Sequence, residues 1–214
     1  MLGIVGEHSG AYRVPVSCSG PDPAAQKAAL RRQLLATRRR RPPVELIAAA
    51  NQLAEVLVEQ PELAGSQVVA AYVSVGGEPG TGPLLDALSE RGVRVLLPVL
   101  QRDFDLDWAP YAGAEALASS RLGLLQPTTA PLGPGAVASA DVVLCPALAV
   151  DARGNRLGRG GGSCDRALRR VPYGRFTCAL VYDDEWLPCV PVDRHDMPVA
   201  AAATPSGLHR CGPL

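Results

Sequence analysis

The chain has 214 residues, 21 Lys and Arg against 21 Asp and Glu, a formal net charge of zero and an apolar content of 47%. That length suits one full α/β domain with a sizeable core, and the even charge argues against a nucleic-acid-binding protein, which ordinarily carries a basic excess. No stretch approaches a membrane span and the N-terminus lacks a continuous apolar segment, so a cytoplasmic protein without a membrane partner is expected.

Residues 1–23 show no periodicity and end in the turn formers Gly20-Pro21-Asp22-Pro23, which reads as a loose extension ahead of a domain over 24–214. From Ala24 to Arg41 the pattern is helical. Leu30, Leu34 and Leu35 form an apolar stripe, Lys27, Arg31 and Arg38 lie on a neighbouring face, and Pro42-Pro43 ends the helix. The run Arg38–Arg41 reads as a solvated surface. Val44 to Leu57 is a second amphipathic helix.

The period then changes. Gln67 to Val75 is a buried strand, Pro83 to Arg91 a helix capped by Gly92, and Val93 to Leu97 another strand, which together make a right-handed βαβ unit with parallel strands. Glu78 and Thr81 stand in the turn after the first of these strands, where ligands of open α/β sheets collect; an exposed turn carboxylate is the competing reading of Glu78. Phe104, Leu106 and Trp108 alternate with Asp105 and Asp107, as in an antiparallel edge strand. Pro127 to Ser139 is a loop. Ala140 to Leu144 is a short buried strand that Cys145-Pro146 terminates.

The segment Gly154 to Asp165 carries the strongest chemical signal. Gly158, Gly160, Gly161 and Gly162 remove the β-carbons from a short backbone run, which lets its amides turn toward an anion. Arg156 and Arg159 add fork-shaped cationic donors, and Asp165 follows where a helix begins. A phosphate with a metal ion is the ligand this combination suits. It is neither a dinucleotide fingerprint, which needs glycine at Ser163, nor a Walker A loop, which needs Lys-Ser or Lys-Thr. A purely structural alternative makes Ser163 a helix N-cap and Asp165 a first-turn acid opposite Arg169. Phe176 to Tyr182 is one more buried strand, and Pro188 to Asp196 reads as an irregular tail holding His195-Asp196. The six cysteines (Cys18, Cys145, Cys164, Cys178, Cys189 and Cys211) are scattered without a zinc or redox spacing and are expected to be reduced.

Taken in order, Lys27-x-x-Leu30-Arg31, Glu78 with Thr81, Arg156-Leu-Gly-Arg-Gly-Gly-Gly-x-x-Asp165 and Pro191-x-x-x-His195-Asp196 resemble the 5-formyltetrahydrofolate cyclo-ligase (5,10-methenyltetrahydrofolate synthetase) family across Ala24 to Leu208. The resemblance implies a single α/β domain with a mostly parallel central sheet flanked by helices, similar to the NagB/RpiA/CoA-transferase-like folds. It also implies a cytoplasmic, monomeric enzyme acting on a small folate without a nucleic-acid partner. In that family ATP phosphorylates the formyl oxygen of 5-formyltetrahydrofolate, N10 attacks the activated carbon, and phosphate leaves as the methenyl product forms.

By the same resemblance Lys27 and Arg159 would be catalytic, and ATP would be held by Lys27, Arg31, Arg156, Leu157, Gly158, Arg159, Gly160, Gly161, Gly162, Ser163 and Cys164. The folate would meet Val73, Glu78, Arg159, Gly160, Gly161, Gly162 and Ser163, and Mg²⁺ would sit on Asp165 and Asp196. The chain departs from the family's usual Gly-Tyr-Tyr-Asp, having Gly162-Ser163-Cys164-Asp165 instead. That removes two aromatic side chains from the loop, and a divergent folate- or nucleotide-binding relative is the alternative it raises.

Overall fold

The computed structural model describes residues 22–120 and 123–212, so almost all of the expected N-terminal extension lies outside the described residues. In chain order the helices are α1 (Pro23–Arg38), α2 (Pro43–Val58), α3 (Pro61–Ala64), α4 (Gly82–Glu90) and α5 (Ser163–Leu168). The strands are β1 (Val68–Ala70), β2 (Arg94–Leu100), β3 (Leu106–Pro110), β4 (Leu117–Ser119), β5 (Leu125–Pro127) and β6 (Val142–Pro146). After them come β7 (Ala149–Asp151), β8 (Arg156–Leu157), β9 (Phe176–Leu180), β10 (Trp186–Leu187), β11 (Ala201–Thr204) and β12 (Gly207–Arg210).

A seven-stranded sheet of order β12-β11-β9-β6-β1-β2-β3 forms the centre. Its inner pairs are parallel and its two edge pairs, β11 with β12 and β2 with β3, are antiparallel. Successive residues on each strand point to opposite faces, and both faces are covered. Val69 and Leu97 face a core built with Leu53, Leu57, Leu84 and Leu88 of α2 and α4. Ala70, Leu96 and Val143 face the other side, with Trp108, Ala167 and Leu168. Each fully buried leucine contributes about 1.5–3 kcal/mol of transfer free energy, so these two layers fix the sheet and the loops at its ends.

A second sheet of order β10-β7-β8 supports α1. Leu30 and Leu34 of α1 pack on Leu148, Ala149, Leu157 and Leu187. Asp22 caps α1 by accepting from the Ala25 amide at 3.0 Å. The consequence is positional: the stripe that buries the leucines brings Lys27 and Arg31 against the segment that follows β8.

The expected elements are present, with some corrections. The first strand is shorter than Gln67 to Val75: the Ala71 amide still donates to the Leu96 carbonyl at 2.9 Å, and past it the chain leaves the ladder, with Tyr72, Val73 and Val75 on the wall of a cavity. Phe104 lies outside β3. It adopts a left-handed φ of 63° in the tight turn joining β2 to β3, where Gln101 N donates to Asp105 O at 2.9 Å. Cys145 and Pro146 continue β6 instead of ending it. Pro188 to Asp196 is irregular, as expected, but the chain beyond it forms two strands that were not expected: β11 joins the parallel core and β12 closes its edge. The solvated reading of Arg38 is also corrected, since Arg38 is 3% exposed and is held in a bidentate pair with Glu185 at 2.7 Å. Cys145, Cys164, Cys178 and Cys211 are free thiols as expected, Cys189 is disulfide-bonded against the expectation that it is reduced, and Cys18 lies outside the described residues. No described helix is long and apolar enough to cross a membrane.

Candidate functional site

The glycine loop is positioned by a tight turn before it. Asp151, which is buried, accepts from the amides of Arg153, Asn155 and Val190 and from the Asn155 side chain. Gly154 sits there at φ +79°, and a β-carbon on it would come within 2.2 Å of the Val199 carbonyl oxygen. Only glycine permits that approach. The turn therefore ties the start of the loop to the segment ahead of β11 and sets Arg156 on β8.

Arg156 is 4% exposed and donates from Nη2 to Asp165 Oδ1 at 2.6 Å. The same carboxylate oxygen accepts from the Met197 amide at 3.1 Å, so Asp165 joins the glycine loop to the His195–Met197 segment. Asp165 is thus bound by Arg156, not by Arg169, whose guanidinium donates to the His195 carbonyl at 2.6 Å. Ser163 is the first residue of α5 and Gly162 its N-cap, with φ +70°, which removes the N-cap reading of Ser163.

Lys27 Nζ forms a short ion pair with Asp196 Oδ2, and the same oxygen accepts from the Asp193 amide at 2.7 Å. Lys27 is the only lysine in the sequence and is 8% exposed. Arg31 Nε donates to the Gly158 carbonyl at 2.8 Å. Its guanidinium lies beside Gly160, where φ is +106° and an added β-carbon would stand 3.5 Å from Arg31 Cζ. Arg159 reaches out of the loop to Glu78, Nε to Oε1 at 2.9 Å. Glu78 is 7% exposed and also accepts from the Val75 amide at 3.0 Å. The competing reading of Glu78 as an exposed turn carboxylate is therefore wrong.

Lys27, Arg31, Glu78, Arg156, Arg159, Asp165 and Asp196 line one cavity of about 760 Å³ beyond the carboxyl ends of β1 and β6. Every residue expected at a site is on its wall: Lys27, Arg31, Val73, Glu78, the run Arg156 to Asp165, and Asp196. Sequence reasoning missed further wall residues, among them Arg38, Tyr72, Trp108 and Arg166. Arg38 carried a signal, because it follows Lys27, Arg31 and Leu34 on one side of α1. Trp108 carried one too, as the inward residue of an alternating strand.

The electrostatics favour an anion at one end of the cavity. Burial works against the charge on Arg156, but the Asp165 carboxylate paired with it helps to hold its pKa above the ordinary value. Burial pushes the Cys145 thiol up to about 12 and raises that of Cys164. Neither thiol is a nucleophile at neutral pH. Burial, reinforced by Glu78, keeps the Tyr72 phenol neutral.

The residues present suit a phosphate group. Side chains on Gly160 and Gly162 would be strained at their positive φ, and Arg156 Nε is a buried donor without a partner among the described residues. For a hard cation the candidate oxygens are Asp165 Oδ2 and Asp196 Oδ1, since the contacts with Arg156, Met197, Lys27 and Asp193 fall on the other oxygen of each carboxylate. Among the described residues no three His, Cys, Asp or Glu side chains form a metal cage. Two carboxylates suffice for Mg²⁺, which keeps waters and leans on substrate phosphates.

Comparison with known proteins places these features in a wider set. A model of the 5-formyltetrahydrofolate cyclo-ligase family matches residues 23–205. A 5-formyltetrahydrofolate cyclo-ligase of Mycolicibacterium smegmatis is 42% identical over 144 residues, which cover 65% of this chain and 74% of that protein. One of Escherichia coli is 31% identical over 159 residues, covering 73% of this chain and 87% of that protein. Among solved structures, the NMR structure of Aquifex aeolicus 5,10-methenyltetrahydrofolate synthetase superposes with a TM-score of 0.75 at 24% identity, covering 88% of this chain and 94% of that one. At that identity the superposition shows the α/β fold.

Proposed function

Because the chain belongs to the 5-formyltetrahydrofolate cyclo-ligase family, we propose that it closes 5-formyltetrahydrofolate to 5,10-methenyltetrahydrofolate, with ATP and Mg²⁺ as the phosphoryl source. The observation that carries this reading is that a glycine cradle with Lys27, Arg31, Arg156 and Arg159 shares one cavity with the buried carboxylate of Glu78. Bound ATP would supply the phosphoryl group that turns the formyl oxygen into a leaving group, and Mg²⁺ on Asp165 and Asp196 would offset the phosphate charge.

The chain's own contribution is positioning and charge. Phosphoryl transfer needs cations and amide donors around a spreading negative charge more than it needs a nucleophile triad. Lys27 and Arg156 provide fixed positive charge, each oriented by a carboxylate. Arg31 braces the loop through the Gly158 carbonyl. Arg159, half exposed and at the loop's outer edge, is the cation able to follow charge as it moves from phosphate to formyl oxygen. Glu78 accepts hydrogen bonds from ring N–H groups of the folate, and Val73 lies against the ring. The cavity walls exclude water from an activated carbon that water would otherwise attack.

The test is direct. Purified protein with 5-formyltetrahydrofolate, ATP and Mg²⁺ should show methenyl-folate absorbance growing in step with ADP release. No product from folded protein that still binds both ligands would favour the second reading, a binding protein without turnover. Ser163 and Cys164, which leave the loop without an aromatic side chain, are the observation behind that alternative.

A further inference from the structure

The ion pair between Arg159 and Glu78 joins the phosphate end of the cavity to its folate end, and its two partners differ in kind. The Glu78 side chain is 6% exposed and is fixed by the Val75 amide on Oε2, whereas the Arg159 side chain is 52% exposed and belongs to a loop rich in glycine. A nearly buried carboxylate needs a partner, and here the half-exposed cation supplies it. Glu78 is therefore the fixed half and Arg159 the half that can leave without a desolvation cost.

We propose that this ion pair is a latch that makes the nucleotide and the folate bind cooperatively. The inference rests on the cyclo-ligase reading and goes beyond it. A folate whose ring N–H groups occupy Glu78 displaces Arg159, which is then free for a phosphate. A triphosphate that draws Arg159 toward the cradle leaves Glu78 needing hydrogen-bond donors, which the folate ring provides. Both ligands must open the same pair. Whichever binds first opens it, and the second meets a site already open. Linkage requires the benefit to be equal in both directions.

Calorimetry with 5-formyltetrahydrofolate and a non-hydrolysable ATP analogue with Mg²⁺ tests this. In the wild-type chain each ligand should tighten the other by the same factor, about 5-fold or more. In Arg159→Gln, a change at a half-exposed side chain, the coupling factor should fall to about one whatever the individual affinities. Independent binding in the wild type, or coupling that survives in Arg159→Gln, overturns the latch while leaving the cyclo-ligase reading intact. Failure of the wild type to bind either ligand overturns both.

Discussion

Arg156 and Asp165 meet at 2.6 Å at the base of the glycine loop, and the same Asp165 oxygen holds the Met197 amide. One carboxylate thus neutralises a buried guanidinium and anchors the segment bearing Asp196, besides being a proposed ligand of Mg²⁺. Asp165→Ala should therefore do more than remove a proposed metal ligand. Leaving Arg156 buried and unpaired should cost about 3–5 kcal/mol of stability, seen as a lower urea midpoint. Asp165→Asn, which keeps an acceptor, should lose less stability yet fall about 100-fold in turnover, and steady-state rates against Mg²⁺ concentration will separate the two effects.

Lys27 is the only lysine of a chain in which arginine supplies every other cationic side chain. Its ammonium sits at the wall of the cavity against Asp196, with 8% exposure. A guanidinium is larger and planar, and it needs a fork of acceptors that one carboxylate oxygen does not offer. Lys27→Arg should lower kcat/KM by about 10-fold although it preserves charge, and Lys27→Met by about 100-fold. Equal activity of Lys27→Arg and wild type would show that only charge matters at this position.

Gly160 tests the cradle. At φ +106° a side chain is strained, and its β-carbon would stand against Arg31. Gly160→Ala should cost about 1–3 kcal/mol locally, weakening nucleotide binding about 10-fold or more in calorimetry. The strain is carried by the folded state, so the melting temperature of the ligand-free protein should fall by about 2–4 °C for each kcal/mol. Unaltered nucleotide affinity would remove the loop from the phosphate site.

Arg38 and Glu185 hold α1 to the body of the domain. Arg38 is bidentate on Glu185 and also donates to the Ala147 carbonyl at 2.6 Å, with both side chains almost wholly buried. Arg38→Ala should destabilise the fold by about 3–5 kcal/mol, and it should weaken nucleotide binding as well, since α1 carries Lys27 and Arg31. Chemical denaturation and calorimetry on the same sample check both parts.

Acid stability should depend on Asp141. Its carboxylate accepts from the Val68 and Gln67 amides and pairs with Arg175, and these contacts hold its pKa below the ordinary 3.8. A depressed carboxylate pKa contributes stability that is present above the unfolded value and is lost as pH falls through the folded one. Asp141→Asn should therefore be less stable than wild type at pH 7, by about 1–2 kcal/mol. The difference should shrink below pH 4, and denaturant curves from pH 2 to 7 will show whether the two converge.

How far residues alone lead differs between the parts of this molecule. The chemistry of the site was legible because it is local: a glycine run, the arginines within it and the acid after it are neighbours along the chain. The helices were legible because their apolar spacing repeats. Glu78 stood apart from that loop, and only its place after a buried strand hinted that it belonged to a site.

What residues alone did not reveal is pairing across long distances. The run Arg38–Arg41 looks like a wet surface until Glu185 and Asp184 are brought to it, and Arg41 lies 4.0 Å above the Tyr182 ring. The strands β11 and β12 escaped notice because Ala201–Thr204 is a run of small residues without alternation, and its strand character comes from pairing with β9. Sequence by itself determined which groups could bind an anion, since that depends on residue type and spacing. Which carboxylate faces which cation, and that Arg159 bridges to Glu78 across one cavity, was decided by tertiary structure, because the sheet's crossovers bring together loops that are remote along the chain.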